Sequence, residues 1–342
     1  MKLALTLSSA AVVVASPAPD VAIKFGIDEG TKVEKKVVHE AIFEFVSGVQ
    51  RRGNEEIQMP DEYAMSLEHV RSMTVVDVYG ASADGVPGSL VRTVTEFEDT
   101  LTWEIVEESD RSEKVDVQLE SELEDVPVAW SPEDGTYVAS YVEEDNDLRD
   151  ELLDGLTFDL DGFGLLPPAG ADLTEGWEVP AGALGELLQF GGSLSETATE
   201  APSDAGQTVL RGVMLLPLLG DLEGDATLVL ESYDEEKGLA KITIEVEATS
   251  EASAIDLVQS IGKDIGGDRM QQLEDVLLET ELDLNGAIQW DVRAGRLAHL
   301  EMDGDCRREM TIKALDPGGG PGPVIQLAFE AEASWIAEFQ EK

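Results

Sequence analysis

The sequence predicts a mainly β (α+β) protein: two lobes of long antiparallel strands, in curved sheets or a β-clam, with a few short helices. Three observations carry this. Apolar and polar residues alternate with period two over long runs, as in sheets with one buried and one wet face. Clusters rich in Gly, Pro and Asp punctuate those runs as turns do. An apolar content of 42% across 342 residues is enough for a large core.

In the N-terminal half, 31–47, 62–79, 90–106 and 114–123 read as long strands. Val115, Val117, Leu119, Ser121 and Leu123, for example, alternate with Asp116, Gln118, Glu120, Glu122 and Glu124. Trp130 and Tyr137 flank Ser131-Pro132-Glu133-Asp134-Gly135, a hairpin turn. In the C-terminal half, 226–233 and 239–249 flank a five-residue turn that closes on Gly238. Leu282, Leu284, Gly286, Ile288 and Trp290 face one way. A turn through Arg293-Ala294-Gly295 then leads to Leu297. The last segment puts Leu327, Phe329, Ala331, Ala333, Trp335, Ala337 and Phe339 on one face. A helix there would strand Phe329, so a strand is the better reading.

Helices are expected at 147–156, where Leu148, Leu152, Leu153 and Leu156 form a stripe, and at 253–261 and 268–278. The small, polar, aperiodic stretch 193–207 reads as a flexible loop. Residues 1–15 read as a signal peptide, 16–142 as an N-terminal β lobe, 143–207 as a leucine- and proline-rich connector, and 208–342 as a C-terminal β lobe with helices near 253–278. Lys2, the uncharged run Leu3–Ala15, and Val13 and Ala15 at −3 and −1 make that signal, with cleavage after Ala15. The plainer alternative is an uncleaved N-terminal strand. The expected location is periplasmic or secreted.

Composition excludes several partners. With 72 Asp+Glu against 23 Lys+Arg, the net charge of −49 opposes both nucleic acid and anionic membranes. No apolar run approaches the length of a membrane-spanning helix. The same acidity reads as a hydrated surface like those of salt-adapted exported proteins, or as a binding surface, with self-repulsion that salt or divalent cations relieve.

The order Glu29-Gly30-Thr31-Lys32, Trp130-Ser131-Pro132-Glu133-Asp134-Gly135, Leu165-Leu166-Pro167, Glu175-Gly176-Trp177-Glu178-Val179 and Ile288-Gln289-Trp290-Asp291 resembles uncharacterised secreted β-rich proteins of environmental Gram-negative bacteria such as planctomycetes. Those motifs are turns and aromatic anchors, and the resemblance carries no activity and no site residues.

Catalytic and cofactor signatures fail one by one. Gly80-Ala81-Ser82-Ala83-Asp84 lacks the last Gly of a nucleophile elbow, and Phe43 stands where H-E-x-x-H needs its second His. Gly262-Lys263-Asp264 is not a phosphate loop, and Gly162-Phe163-Gly164 lacks the third Gly of a dinucleotide loop. Three His and one Cys, widely scattered, make no persuasive zinc or copper site. Cys306, the lone cysteine, reads as an incidental turn or core thiol. An aromatic content of 6% argues against a sugar-stacking groove. No cofactor is expected; Asp159 and Asp161, and Asp303 and Asp305, offer oxygens to a weakly bound Ca²⁺ or are solvated turn acids.

Two function classes follow, both non-enzymatic. One is a binding protein for an apolar or lipid-like ligand. Its contacts would be Leu166, Phe190, Met214, Leu215 and Leu216, in leucine-rich pieces whose plainer role is inter-lobe core. The other is an acidic structural or interaction protein of the envelope, with an envelope protein as partner and Ca²⁺ bridges as an aid. An enzyme built on a carboxylate pair ranks below both.

Overall fold

The computed structural model describes residues 21–53, 55–58, 64–83, 86–107, 111–134, 136–143, 150–153, 155–189, 196–200, 220–255, 273–315 and 322–342. The fold is mainly β, as the alternation predicts. The first half supplies β1 (Lys32–Arg52), β2 (Glu55–Gln58), β3 (Ala64–Tyr79), β4 (Ser82–Ala83), β5 (Val86–Pro87), β6 (Leu90–Glu107), β7 (Arg111–Ser121), β8 (Pro127–Glu133) and β9 (Thr136–Tyr141). The connector supplies β10 (Trp177–Pro180), the short helix α1 (Gly182–Leu188) and β11 (Glu196–Glu200). The second half supplies β12 (Leu222–Asp234), β13 (Leu239–Ser253), β14 (Leu273–Asp291), β15 (Arg296–Ala314) and β16 (Val324–Glu341).

Fourteen of these strands make one antiparallel sheet, ordered β10-β12-β13-β14-β15-β16-β1-β3-β6-β7-β11, with β2 on β1, β8 on β6 and β9 on β8. The path ends at β10 and β11, so the sheet is open. The two expected lobes are thus halves of one sheet, joined where β1 and β16 pair from Val33↔Glu341 to Arg51↔Val324. Pairing these two strands removes two long free edges.

Each long strand buries alternate side chains on one inner face: Val33, Val37, Ala41 and Phe43 on β1; Leu67, Met73 and Val75 on β3; Phe329, Ala333 and Trp335 on β16. What covers that face is the segment before β1 together with the connector between the halves. Residues 21–27 lay down Ile23, Phe25 and Ile27, and 158–165 lay down Phe158, Leu160 and Leu165. Trp177 Nε1 donates to the Leu165 carbonyl at 2.9 Å, and Leu230 N to the Leu173 carbonyl at 2.8 Å, which tie the connector to the β12 side. Gly286 and Gly304 sit where β14 and β15 come closest. A β-carbon at Gly304 would lie 2.1 Å from the Asp283 carbonyl oxygen, so only glycine fits.

Three expectations change. The helix at 268–278 gives way at its C-terminal end, because Leu273–Leu278 open β14 and pair with β15; Val276 and Leu278 are buried in strand phase. Stripe and strand phase coincide over so short a window. The helix at 147–156 is a single 3₁₀ turn at Asp150–Leu153 in its described part. Within the expected loop 193–207, Glu196–Glu200 pair with β7 as an edge strand, satisfying backbone groups that β7 would otherwise expose.

Candidate functional site

The inner face carries charges among its apolar residues. Lys35 stands in phase with Val33 and Val37, Asp77 with Val75 and Tyr79, and Arg92 with Leu90 and Val94. Lys35 Nζ lies 2.6 Å from Asp77 Oδ2 and 2.9 Å from Asp161 Oδ2, all three side chains at most 1% exposed. Arg92 forks onto Asp77 with two bonds of 2.9 Å, and its Nη atoms donate to the Thr157 and Phe158 carbonyls. Tyr79 OH donates to Asp161 at 2.7 Å. Burial would raise Asp77, but Arg92 and then Lys35 outweigh it and hold the carboxyl below its ordinary value. Burial, then Asp161, pushes the Tyr79 phenol well up. Two cations and two carboxylates clamp the connector to β1, β3 and β6.

Asp159 does a different job. Its oxygens accept backbone N–H bonds from Asp161, Phe163 and Gly164, at 2.9, 3.2 and 2.9 Å, and so shape the turn. Burial, with Asp161 and Glu186 nearby, lifts its pKa to about 7. Both aspartates of this expected Ca²⁺ pair are therefore committed to structure.

A second buried group resembles catalytic machinery. His69 Nε2 lies 2.9 Å from Asp99 Oδ1, with both side chains 0% exposed. His39 stacks on Trp335 with ring centres 4.5 Å apart, and its ring lies 5.2 Å from that of His69. Burial, then His69, holds His39 well below its ordinary pKa, so it is neutral and Nδ1–H donates to the Ser334 carbonyl at 3.1 Å. Neither side chain has exposed surface, although His69 borders the trough described below. Cys306 is likewise a core residue on β15, its thiol pushed up by burial.

A broad concavity opens on the opposite face, lined chiefly by wet-face residues. It is a trough of about 1230 Å³ across β3, β1, β16 and β15. Glu40 and Glu44 come from β1, Glu68 from β3, Asp303 and Asp305 from β15, and Glu330 and Glu332 from β16. Arg307 adds a cation, and Ile42, 54% exposed, adds apolar surface. Register stacks like charges across strands: Glu247 opposes Asp283, Asp283 opposes Asp305, and Asp305 opposes Glu332. All four are exposed. Such opposed carboxylates are destabilising unless a cation sits among them.

The expected site residues thus disperse. Asp303 and Asp305 lie in the trough, on extended strand rather than a loop, far in character from the buried Asp159 and Asp161. Among the described residues, no group of three or more His, Cys, Asp or Glu is placed to hold a metal ion. Leu166 packs with Ile23, Trp177, Leu228 and Trp290 around a void of about 10 Å³, the room of one water molecule. Phe190, Met214, Leu215 and Leu216 lie outside the described residues. Among the described residues, no helix is long and apolar enough to cross a membrane.

No family model matches the chain. No curated protein matches it either. Solved structures with slight likeness include an outer membrane channel from Pseudomonas putida F1, at 8% identity and TM-score 0.17 over 95% of this chain and 99% of that one. The Salmonella SPI-1 type III secretion injectisome secretin InvG aligns at 7% identity and TM-score 0.16, covering 92% of this chain and 65% of that one. The V. cholerae type IV competence pilus secretin PilQ aligns at 5% and 0.13, over 92% and 61%. Likeness this slight carries no argument about activity.

Proposed function

We propose that the chain is a non-catalytic interaction protein, working outside the cytoplasm, that takes a cationic partner segment into the acidic trough. The carrying observation is the trough itself, a concavity of about 1230 Å³ lined by seven carboxylates, one arginine and an exposed isoleucine among others. Acid alone does not single it out, since Glu245 and Glu247 make the wet side of β13 acidic too. Concavity does, because field lines focus in a cleft and a bound chain loses water on three sides. The sealed His69–Asp99 pair favours a non-enzymatic role.

The test is binding of a labelled peptide of alternating Lys and Leu. Replacing Asp305 and Glu332 by Lys should weaken it about tenfold or more, whereas Glu245→Lys with Glu247→Lys should change it little. Equal effects from both pairs would reduce the reading to diffuse charge attraction. A lipid-sized adduct in native mass spectrometry of gently purified protein would instead favour an apolar-ligand carrier.

A further inference from the structure

A separate cleft of about 460 Å³ is lined by β9 together with Asp150, Leu153, Gly155 and Leu156. Its walls are Trp130, Tyr137, Tyr141, Leu153 and Leu156, and Asp150 is the charged residue among the described lining. We propose that this cleft binds a small quaternary ammonium cation, seated over the tyrosine rings with Asp150 as counter-ion.

The walls are rigid before any ligand arrives. Tyr137 stacks on Phe158 with ring centres 3.5 Å apart and planes 5° apart, and its hydroxyl donates to the Pro87 carbonyl at 2.5 Å. Trp130 meets Phe158 edge-on at 5.7 Å, and Arg92 Nη2 holds the Phe158 carbonyl at 3.1 Å. One face of Tyr137 is spent on Phe158. Tyr137 also lines the cleft.

Chemistry selects the ligand. Aromatic faces carry a negative quadrupole and attract cations, the more so when the site is partly desolvated. Asp150 is exposed on its 3₁₀ turn, and a chain of charge −49 adds a long-range pull on any cation. Leu153, Leu156, Ala139 and Val138 outnumber Ser140, a hydrogen-bonding side chain beside Asp150 and the tyrosines, which favours an alkylated cation that holds water weakly over a hydrated metal ion. The volume suits a group of that size and falls within the range of small-molecule sites.

Calorimetric titration with choline and with 3,3-dimethylbutan-1-ol, its uncharged isostere, tests this on the whole mature protein. Choline should bind with a Kd of about 10 mM or tighter and the alcohol at least about fivefold more weakly. Asp150→Asn should weaken choline about fivefold while the control Asp172→Asn, on an exposed turn elsewhere, leaves it unchanged. Tyr137→Leu, checked by circular dichroism for folding, should weaken it further; Asp150→Asn keeps the test decisive if that variant unfolds. Equal binding of choline and the alcohol, equal loss in both aspartate variants, or no choline heat at about 10 mM would each overturn the proposal.

Discussion

Replacing Lys35 by Met tests the buried ionic cluster most sharply. The native cluster is balanced, with Lys35 and Arg92 facing Asp77 and Asp161 at side-chain exposures of 8% or less. Removing Lys35 leaves two carboxylates with one guanidinium in a sealed core. Breaking such a pair from one side costs about 3–5 kcal/mol. An independent limit gives a similar figure. The variant can escape the unbalanced charge by taking up one proton, which at pH 7 costs about 4 kcal/mol for a carboxyl of ordinary pKa near 3.9. That escape fixes the sign of the pH dependence. The carboxyl concerned has a raised pKa in the folded variant, so its penalty is absent below the unfolded value and grows as pH rises, by about 1.4 kcal/mol per unit. Urea unfolding of wild type and variant should therefore differ by about 4 kcal/mol at pH 7 and by about 1.5 kcal/mol at pH 5. A difference under about 1 kcal/mol at pH 7, or one equal at both pH values, would refute the balanced-cluster argument.

Asp159, with its pKa raised from the ordinary 3.8 to about 7, favours the folded state at low pH; that contribution fades as pH climbs from about 4 and is gone above about 7. Asp159→Asn should flatten this fall in urea titrations run between those limits, although the lost acceptor for Gly164 N–H costs about 1 kcal/mol. The opposed row Glu247, Asp283, Asp305 and Glu332 should make thermal stability rise with NaCl, and more steeply with CaCl₂ at equal ionic strength. Replacing Asp283 and Asp305 by Asn should remove part of that rise, measured as the slope of Tm against salt. Gly304→Ala should cost about 2 kcal/mol or more in chemical unfolding, because a methyl group meets the Asp283 carbonyl.

The strands were legible because their signal is local. The turn at 234–238 closes on Gly238 with φ +75°, and Gly295 turns β14 into β15 with φ +64°, both at positions that sequence marks as turns. The joining of the halves was not legible, since the pairing of Val33 with Glu341 spans the whole chain and no local pattern encodes it. The ionic cluster had a signal that went unused. Lys35, Asp77 and Arg92 each break an otherwise apolar inward phase, and three charges of mixed sign at such positions imply burial with mutual pairing. Asp161 gave no such signal, because its burial depends on where a non-periodic connector is laid down.

The same register that hides charge inside displays it outside, and this decides where function belongs. His69, Asp99, Asp77 and Asp161 have the chemistry of an active site but at most 1% exposure, and each already has an ion-pair partner. A substrate would have to break those contacts before it could be held. The carboxylates of the trough are the reverse case: exposed, stacked against one another by strand register, and unbalanced apart from Arg307, which itself leans to Glu309 at 3.0 Å. Groups already paired resist a new partner, whereas groups held in mutual repulsion gain from one that brings positive charge. On the proposed reading, the free-energy gain on binding a cationic segment would lie on the wet face of β3, β1, β16 and β15.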